Sequence, residues 1–213
     1  MDSSAIKAVV FDCDGVMFDT ADSNRRFYDE ILGHFGKPPL DGDQFTNVHM
    51  MTVTEAVQYL FPEKEDPSDV YACLKRIGYK KYIKYMKMEK GLKQLLYQLG
   101  KNGFIRGIAT NRTNTMEKVL ADFELEPYFD IVMTAAKVTK PKPDPEQLTV
   151  IMDTYGLKPG QVLFVGDSVY DRIAAERAGT CFAAFKSPKL KADLTVASME
   201  EIADALNINE QNS

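Results

Sequence analysis

The chain has 213 residues, of which 45% are apolar and 27% charged, and this balance excludes a disordered or fibrous protein. Its 26 basic and 31 acidic residues give a net charge of -5, which argues against a general binder of nucleic acid or of anionic membranes. Three scattered cysteines without a Cys-x-x-Cys pair predict neither a disulfide framework nor a cysteine zinc site. With no signal-peptide pattern and no apolar run of membrane-spanning length, the sequence predicts a soluble cytoplasmic protein with no membrane partner.

Short apolar segments that end in polar or glycine residues predict buried strands along the chain. They are residues 6–11, 105–109, 131–133, 162–165 and, more weakly, 181–185. Segments with helical periodicity lie between them; one of these places Leu92, Leu95 and Leu99 on a single apolar face. Strands that alternate with helices of this length predict an α/β protein with a parallel sheet covered on both faces.

One long segment breaks this alternation. Residues 20–90 contain helical faces, such as that of Phe27, Ile31 and Phe35, and no convincing strand. We interpret the segment as an inserted all-helical subdomain, with residues 1–19 and 91–213 forming the core. A long helical crossover is the alternative. Nothing in the pattern indicates an oligomeric state.

Polar residues follow several of the predicted strands. Asp12 and Asp14 end the first strand, and residues two apart in an extended segment point the same way. Thr110 and Asp167 follow two later strands, and Lys140 lies between these two residues in the chain. Ligands bind beyond the carboxyl ends of the strands in an open parallel sheet, so these residues are expected to meet at one site.

The types of residue in this set predict phosphoryl chemistry. Carboxylates that lie close together repel each other unless a cation joins them, and oxygen ligands favour Mg²⁺. One carboxylate can act as a nucleophile and form an aspartyl-phosphate, while another serves as general acid and then base. A hydroxyl and a lysine can bind the phosphoryl oxygens and neutralise their charge.

Four segments resemble, in order, the motifs of the haloacid dehalogenase superfamily: VVFDCDGVMFDT, ATNR, TKPKPDP and VGDSVYDRIAAERAG. The match is closest to its phosphatase branch with a helical cap inserted after the first strand. The resemblance implies a Rossmann-like core, a mobile cap, and Mg²⁺-dependent hydrolysis of a small phosphorylated metabolite. Thr-Asn-Arg in the second motif and Gly-Asp-Ser in the fourth favour a phosphoglycolate-like substrate.

The resemblance also implies a role for each core residue. Asp12 is expected to be the nucleophile, and Asp14 to protonate the leaving oxygen and later activate water. Thr110 and Lys140 are expected to bind the phosphoryl group. Asp12, the backbone carbonyl of Asp14, and Asp167 are expected to hold Mg²⁺.

Further residues carry weaker expectations. Asp171 is expected to orient Lys140 or a metal-bound water, although an acid there also suits the first turn of a helix. Ser168 is expected near the site or as the cap of that helix. Asn111, Arg112 and His49 are expected to contact substrate, with a surface role for Arg112 and a structural role for His49 as alternatives.

Two choices rest on details of the motifs. The pattern Lys-Pro-x-Pro selects Lys140 as the active-site lysine and leaves Lys142 as a solvated neighbour.

A sugar phosphomutase and a pyrophosphatase remain alternative functions on the same scaffold. Mutases that resemble β-phosphoglucomutase often carry Glu where this chain has Gly166. A non-catalytic binding protein is disfavoured because no catalytic residue of the family is missing.

Overall fold

The structure is a computed structural model, and it describes residues 2–49 and 51–208. Its strands are β1 (Ala8–Phe11), β2 (Phe18–Asp19), β3 (Lys87–Met88), β4 (Ile105–Thr110), β5 (Ile131–Thr134), β6 (Val162–Gly166), β7 (Cys181–Phe185) and β8 (Leu194–Val196). Its α-helices are α1 (Ala21–His34), α2 (Gly42–His49), α3 (Val53–Leu60), α4 (Ser68–Ile77), α5 (Leu92–Lys101), α6 (Met116–Asp122), α7 (Glu146–Tyr155), α8 (Val169–Ala178) and α9 (Met199–Ala205).

Six strands form one parallel sheet in the order β5-β4-β1-β6-β7-β8. All four residues of the central strand β1 are fully buried, as expected for a strand whose sheet is covered by helices on both faces. The predicted parallel α/β fold is therefore confirmed. Two short features were not predicted: the edge strand β8, and the antiparallel pair formed by β2 and β3.

The register of the central strands brings their carboxyl ends together. Phe11, the last residue of β1, pairs with Ile108 of β4 and with Val165 of β6. The residues that follow these three strands therefore lie along one edge of the sheet, where open parallel sheets bind their ligands.

Apolar packing holds the helices on the sheet and fixes this edge. One core cluster places Val10 and Phe164 of the sheet against Leu148 and Ile151 of α7, and all four side chains are fully buried. Burying each such side chain contributes roughly 1.5–3 kcal/mol relative to leaving it exposed. The loops at the strand ends are thus carried by a rigid support.

The chain divides into two compact units. One contains the sheet and comprises the chain up to Asp19 and from Lys87 onward; the other is Thr20–Met86. Within the described part of Thr20–Met86 the regular structure is helical, with no strand. This unit has its own apolar cluster, which includes Phe27, Ile31 and Val57.

The second boundary differs from the expected position after residue 90. It falls at Lys87, because Lys87 and Met88 pair with Asp19 and Phe18 as a short antiparallel ladder within the sheet-containing unit. Both connections to the helical unit therefore leave from neighbouring strands.

Candidate active site

Asp12 lies at the carboxyl end of β1, and its backbone N–H donates to the carbonyl of Val165 at 2.9 Å. Its side chain is 12% exposed, and its Oδ1 lies 2.8 Å from Nζ of Lys142. Burial raises the pKa of Asp12 to about 7, an effect that the Lys142 ammonium opposes and the neighbouring Asp171 reinforces. The Asp12 carboxylate is therefore largely desolvated and paired with a cation, and a small part of it stays exposed.

Lys142 is the cation at the centre of this cluster. Its Nζ lies 2.8 Å from Asp12 Oδ1 and 2.6 Å from Asp171 Oδ1, and its side chain is only 3% exposed. Burial alone would lower the pKa of Lys142, but the two carboxylates outweigh burial and raise it. Lys142 therefore stays charged in a buried position.

The sequence-based choice of Lys140 as the active-site lysine is corrected by this geometry. Lys140 is exposed, and its backbone N–H donates to Oε2 of Glu146 at 2.8 Å. The physical reason lies in the loop: Glu146 also binds the N–H of Thr139 at 2.9 Å, so this part of the loop is tied to the start of α7. The pattern Lys-Pro-x-Pro occurs twice, starting at Lys140 and at Lys142, so the pattern alone could not choose between them.

Two amide side chains hold the loops that carry Thr110 and Lys142. Asn111 was predicted to contact substrate. In the structure its Nδ2 donates to the carbonyl of Lys142 at 2.9 Å and so holds the loop that carries this lysine. Gln147 is fully buried, and its Nε2 donates to the carbonyl of Thr110 at 2.8 Å. Sequence reasoning missed Gln147; the available signal was a polar residue four positions before Ile151, on the inward face of α7.

Asp171 is fully buried and joins Lys142 to the start of α8. Its Oδ1 receives the lysine, while its Oδ2 accepts from the N–H and the hydroxyl of Ser168 at 3.1 and 2.6 Å. The Asp171 N–H in turn donates to Ser168 Oγ, which completes a capping box. Asp171 thus contacts Lys142 and not Lys140, the lysine named in the sequence-based expectation; its orienting role stays a prediction.

Asp167 follows β6 and lies directly against the backbone of Gly15. A β-carbon built on Gly15 would be 2.0 Å from Asp167 Oδ2, and Gly15 has a φ of +77°, so this position requires glycine. Burial raises the pKa of Asp167 to about 8, and the Asp12 and Asp171 carboxylates add to the effect.

The chemistry of the neighbouring carboxylates suits a cation. One oxygen from each of Asp12, Asp167 and Asp171 lies within 4.8 Å of the others, and all donors are hard oxygen atoms. Lys142 forms ion pairs with Asp12 and Asp171, whereas Asp167 forms none within the described residues. Because Asp171 already binds Lys142 and Ser168, the residues present fit Mg²⁺ held mainly by Asp12 and Asp167.

Arg112 and Asp14 form the second charged pair of this edge. Nε and Nη2 of Arg112 donate to Oδ2 and Oδ1 of Asp14 at 2.7 and 2.6 Å. Nη1 of Arg112 donates to Oγ1 of the buried Thr115 at 3.1 Å. The Arg112 side chain, predicted as a substrate ligand or a surface group, is 8% exposed and is bound to Asp14, the expected general acid.

Thr110 ends β4 and is 1% exposed. Its Oγ1 accepts the backbone N–H of Arg112 at 3.2 Å. A hydroxyl that accepts an N–H keeps its own hydrogen for donation, as a phosphoryl ligand must.

His49 belongs to the helical unit, and the structure gives it partners there. Its Nδ1 lies 3.3 Å from Asn24 Nδ2, and its ring stacks on Phe45 with centroids 5.3 Å apart. Contact of His49 with substrate stays a prediction.

The parallel sheet with charged residues at its strand ends was compared with known protein families and structures. The family model for haloacid dehalogenase-like hydrolases matches residues 9–185. The chain belongs to this family, and the membership predicted from the four motifs is confirmed.

Named relatives point to the same class. A haloacid dehalogenase-superfamily hydrolase of subfamily IA from Geobacter sulfurreducens has a TM-score of 0.83 and 41% identity, covering 95% of this chain and 97% of that one. A phosphoglycolate phosphatase from Yersinia pestis is 30% identical over 82% of this chain and 78% of that protein. An N-acetylmuramic acid 6-phosphate phosphatase from Pseudomonas putida is 27% identical over 85% and 83%.

Across residues 2–49 and 51–208, no helix combines the length and apolar character needed to cross a membrane.

Proposed function

We propose that this chain is a Mg²⁺-dependent phosphatase that hydrolyses a small phosphomonoester through an aspartyl-phosphate on Asp12. The observation that carries the proposal is the buried Asp12 carboxylate, held 2.8 Å from Lys142 at the end of the central strand, in a cluster of oxygen donors. The phosphatases among its relatives support the same reaction class.

In the first half-reaction, a carboxylate oxygen of Asp12 attacks the phosphorus, and the bond from phosphorus to the leaving oxygen breaks. Asp14 supplies the proton that the leaving alcohol requires. Lys142 and the Thr110 hydroxyl bind the phosphoryl oxygens and neutralise the charge that spreads over them. Mg²⁺ bound by Asp12 and Asp167 would add positive charge at the same oxygens.

In the second half-reaction, Asp14 takes a proton from water while the water oxygen attacks the phosphorus of the aspartyl-phosphate. The bond from phosphorus to Asp12 breaks, inorganic phosphate leaves, and the Asp12 carboxylate is regenerated. Asp171 takes no direct part; it keeps Lys142 pointed at Asp12 through the 2.6 Å contact described above.

The substrate we favour is phosphoglycolate or a similarly small phosphorylated acid, in keeping with the motifs and with the phosphoglycolate phosphatase relative. Gly166 argues against the mutase alternative. A β-carbon there would lie 2.4 Å from Cβ of Asp171, so the glutamate often present in such mutases has no room in this arrangement. Pyrophosphate is retained as a test substrate.

The test is phosphate release from a panel of esters with Mg²⁺, using Asp12→Asn as the matched blank. The panel contains phosphoglycolate, sugar phosphates, nucleotides and pyrophosphate. We expect selective release by the wild-type chain, loss of at least roughly 10³-fold in Asp12→Asn, and loss on chelation of Mg²⁺. Near-normal turnover by a folded Asp12→Asn protein, or turnover that resists chelation, would contradict the mechanism.

The role of Asp14 has its own measurement. We expect Asp14→Asn to retain phosphate on the protein when it is supplied with 4-nitrophenyl phosphate, because this leaving group departs without a proton from Asp14 whereas the base that activates water is missing. Hydroxylamine should release that phosphate, as it does from acyl phosphates. Failure to detect a hydroxylamine-labile phosphate in Asp14→Asn, with wild-type turnover intact, would refute the covalent route.

A further inference from the structure

The loop that follows β7 reaches the peptide bond between Asp167 and Ser168. The hydroxyl of Ser187 donates to the carbonyl of Asp167 at 2.7 Å. The last register pair of β6 and β7 is Gly166 with Ala184, so this carbonyl lies one residue beyond the paired part of the two strands. A side chain from the loop after β7 therefore holds the first residue after β6.

The same peptide is also held on its other side. Its N–H, which belongs to Ser168, donates to Oδ2 of Asp171 at 3.1 Å. A planar peptide whose N–H and carbonyl are both bound cannot rotate without breaking one of these hydrogen bonds. Because this rotation changes ψ of Asp167, the two bonds together fix the direction in which the Asp167 side chain leaves the backbone.

The loop that carries Ser187 is itself anchored. The N–H of Lys186 donates to the carbonyl of Val196 on β8 at 2.7 Å, and its Nζ donates to Oε1 of Glu89 at 2.7 Å. Lys186 has a φ of +51°, a left-handed conformation that costs a residue with a side chain about 1–2 kcal/mol. These contacts stabilise the turn against that cost and keep the Ser187 hydroxyl in place.

The Asp167 carboxylate depends on its backbone for its position. It lies against Gly15, where even a β-carbon would be 2.0 Å from Oδ2, so it has little room to turn on that side. Within the described residues it forms no ion pair, whereas Asp12 and Asp171 both pair with Lys142. No charged side chain therefore orients this carboxylate as Lys142 orients the other two.

We propose that Ser187 is a positioning residue for Mg²⁺: by holding the carbonyl of Asp167, it keeps the Asp167 carboxylate where the metal binds. The inference rests on the proposed function, in which Asp12 and Asp167 hold Mg²⁺. Ser187 touches neither the metal nor the substrate in this role. Removing a partner that orients a metal ligand lowers metal affinity by roughly 10–100-fold, and the lower end suits a single hydrogen bond to the backbone.

The test is the affinity of the full-length, metal-free chain for Mg²⁺ alone, measured without substrate. Mg²⁺ raises Tm as it binds the folded state, and the rise with Mg²⁺ concentration at one fixed pH gives the dissociation constant. We expect Ser187→Ala to raise this constant roughly 10-fold. Ser187→Thr keeps the hydroxyl and should restore an affinity close to that of the wild type.

Kinetics give a second measurement. Ser187→Ala should need roughly 10-fold more Mg²⁺ for its half-maximal rate, while kcat at saturating Mg²⁺ and KM for the substrate change less than about twofold. The matched control is Ser198→Ala, at another half-buried serine of the sheet-containing unit, whose Oγ accepts the N–H of Glu201 at the start of α9. Losing this helix cap should cost about 1 kcal/mol of stability and leave Mg²⁺ affinity unchanged.

The outcomes separate this inference from the proposed function. A wild-type chain that binds no Mg²⁺ refutes both. Normal Mg²⁺ binding without phosphate release from any ester refutes the phosphatase, and the affinities of the variants still decide the role of Ser187. Equal Mg²⁺ affinity of the wild type and Ser187→Ala, or equal weakening by Ser198→Ala, refutes the inference alone. If Ser187→Ala does not fold, Ser187→Cys replaces it; its weakly donating thiol should also lower Mg²⁺ affinity.

Discussion

Two cation–carboxylate pairs flank Asp12, and they are built differently. Lys142 and Asp171 have side chains only 3% and 1% exposed, and Asp171 is also bound by Ser168. In the other pair Arg112 is 8% exposed but Asp14 is 37% exposed. One pair is closed on all sides, whereas the other has one partner open to solvent.

The difference teaches which residues hold the site and which are free to act. The closed pair fixes the position of Lys142 beside Asp12, because Lys142 is also held by Asp171, a carboxylate that is itself buried and bound by Ser168. In the open pair, the carboxylate expected to transfer a proton in the proposed reaction is partly exposed. The two pairs near Asp12 thus differ in exposure: both members of one are buried, whereas the carboxylate of the other is partly exposed.

Breaking the closed pair should have the largest effect. We expect Lys142→Met to abolish turnover and to destabilise the fold by about 3–5 kcal/mol, because Asp12 and Asp171 then share a buried site without their cation. Steady-state kinetics and chemical denaturation measure the two effects. The matched control is Lys140→Met, which changes the same residue type two positions earlier, at an exposed site, and should leave both quantities nearly unchanged. Loss of activity in Lys140→Met with a normal Lys142→Met would reverse the lysine assignment.

Adding one methyl group at Gly15 tests the third carboxylate. The new β-carbon would collide with Asp167 Oδ2, so we expect Gly15→Ala to weaken Mg²⁺ activation and to lower kcat by at least roughly tenfold. Displacing a reacting or binding group by about 1 Å has effects of this scale or larger.

Gly103 supplies the control for that variant. It has the same φ of +77° as Gly15, but a β-carbon added there would meet no atom within 4 Å. Gly103→Ala should therefore cost about 1–2 kcal/mol of stability from backbone strain without changing Mg²⁺ activation. Equal kinetic effects from the two variants would show that Gly15 matters only through its backbone conformation.

A smaller effect is expected in the pH dependence of stability without metal. Burial raises the pKa of Asp12 to about 7 and that of Asp167 to about 8, above the ordinary value of about 4. Between about pH 4 and pH 8 the folded state then binds more protons than the unfolded state, so the free energy of unfolding decreases as pH rises. Thermal unfolding of the chelator-treated protein should show a lower Tm at pH 8 than at pH 5.

Mg²⁺ should reverse this trend, because it binds the ionised carboxylates and stabilises the fold more at higher pH. Asp167→Asn removes one of the two groups and should flatten the metal-free slope. A Tm of the metal-free protein that rises from pH 5 to pH 8 would contradict the assignment of raised pKa values to these two residues.

Much of the site was predictable because strand ends can be read from a sequence. Asp12, Thr110 and Asp167 each follow an apolar segment of strand length, and parallel strands bring their carboxyl ends to one edge. The positions of the strands in the sequence and their parallel direction are enough to predict that these three residues lie close together. No loop conformation has to be known.

The lysine was not predictable in the same way. Lys140 and Lys142 lie in a loop without a repeating pattern, and each begins a Lys-Pro-x-Pro sequence. What distinguishes them is tertiary: Glu146 binds the backbone at Lys140, while Asn111 binds the carbonyl of Lys142. The Arg112–Asp14 pair was missed for a similar reason, since its members are 98 positions apart in the chain.

The end of the helical insert was placed too late for a different reason. The β2 and β3 strands contain two residues each, too few to show any alternation of apolar and polar positions. Their pairing is a long-range contact, and it moves the boundary from residue 90 to Lys87.

That short ladder has a consequence for how such a chain can change. Asp19 and Lys87 are direct partners across β2 and β3, so the first and last bonds of the Thr20–Met86 segment begin about 5 Å apart. A two-residue turn can join neighbouring antiparallel strands, so the whole segment can in principle be replaced by a tight hairpin or by another module of any length. Insertions, deletions or replacement of the helical unit can therefore be accommodated at this point of the chain without changing the sheet and the residues at its strand ends.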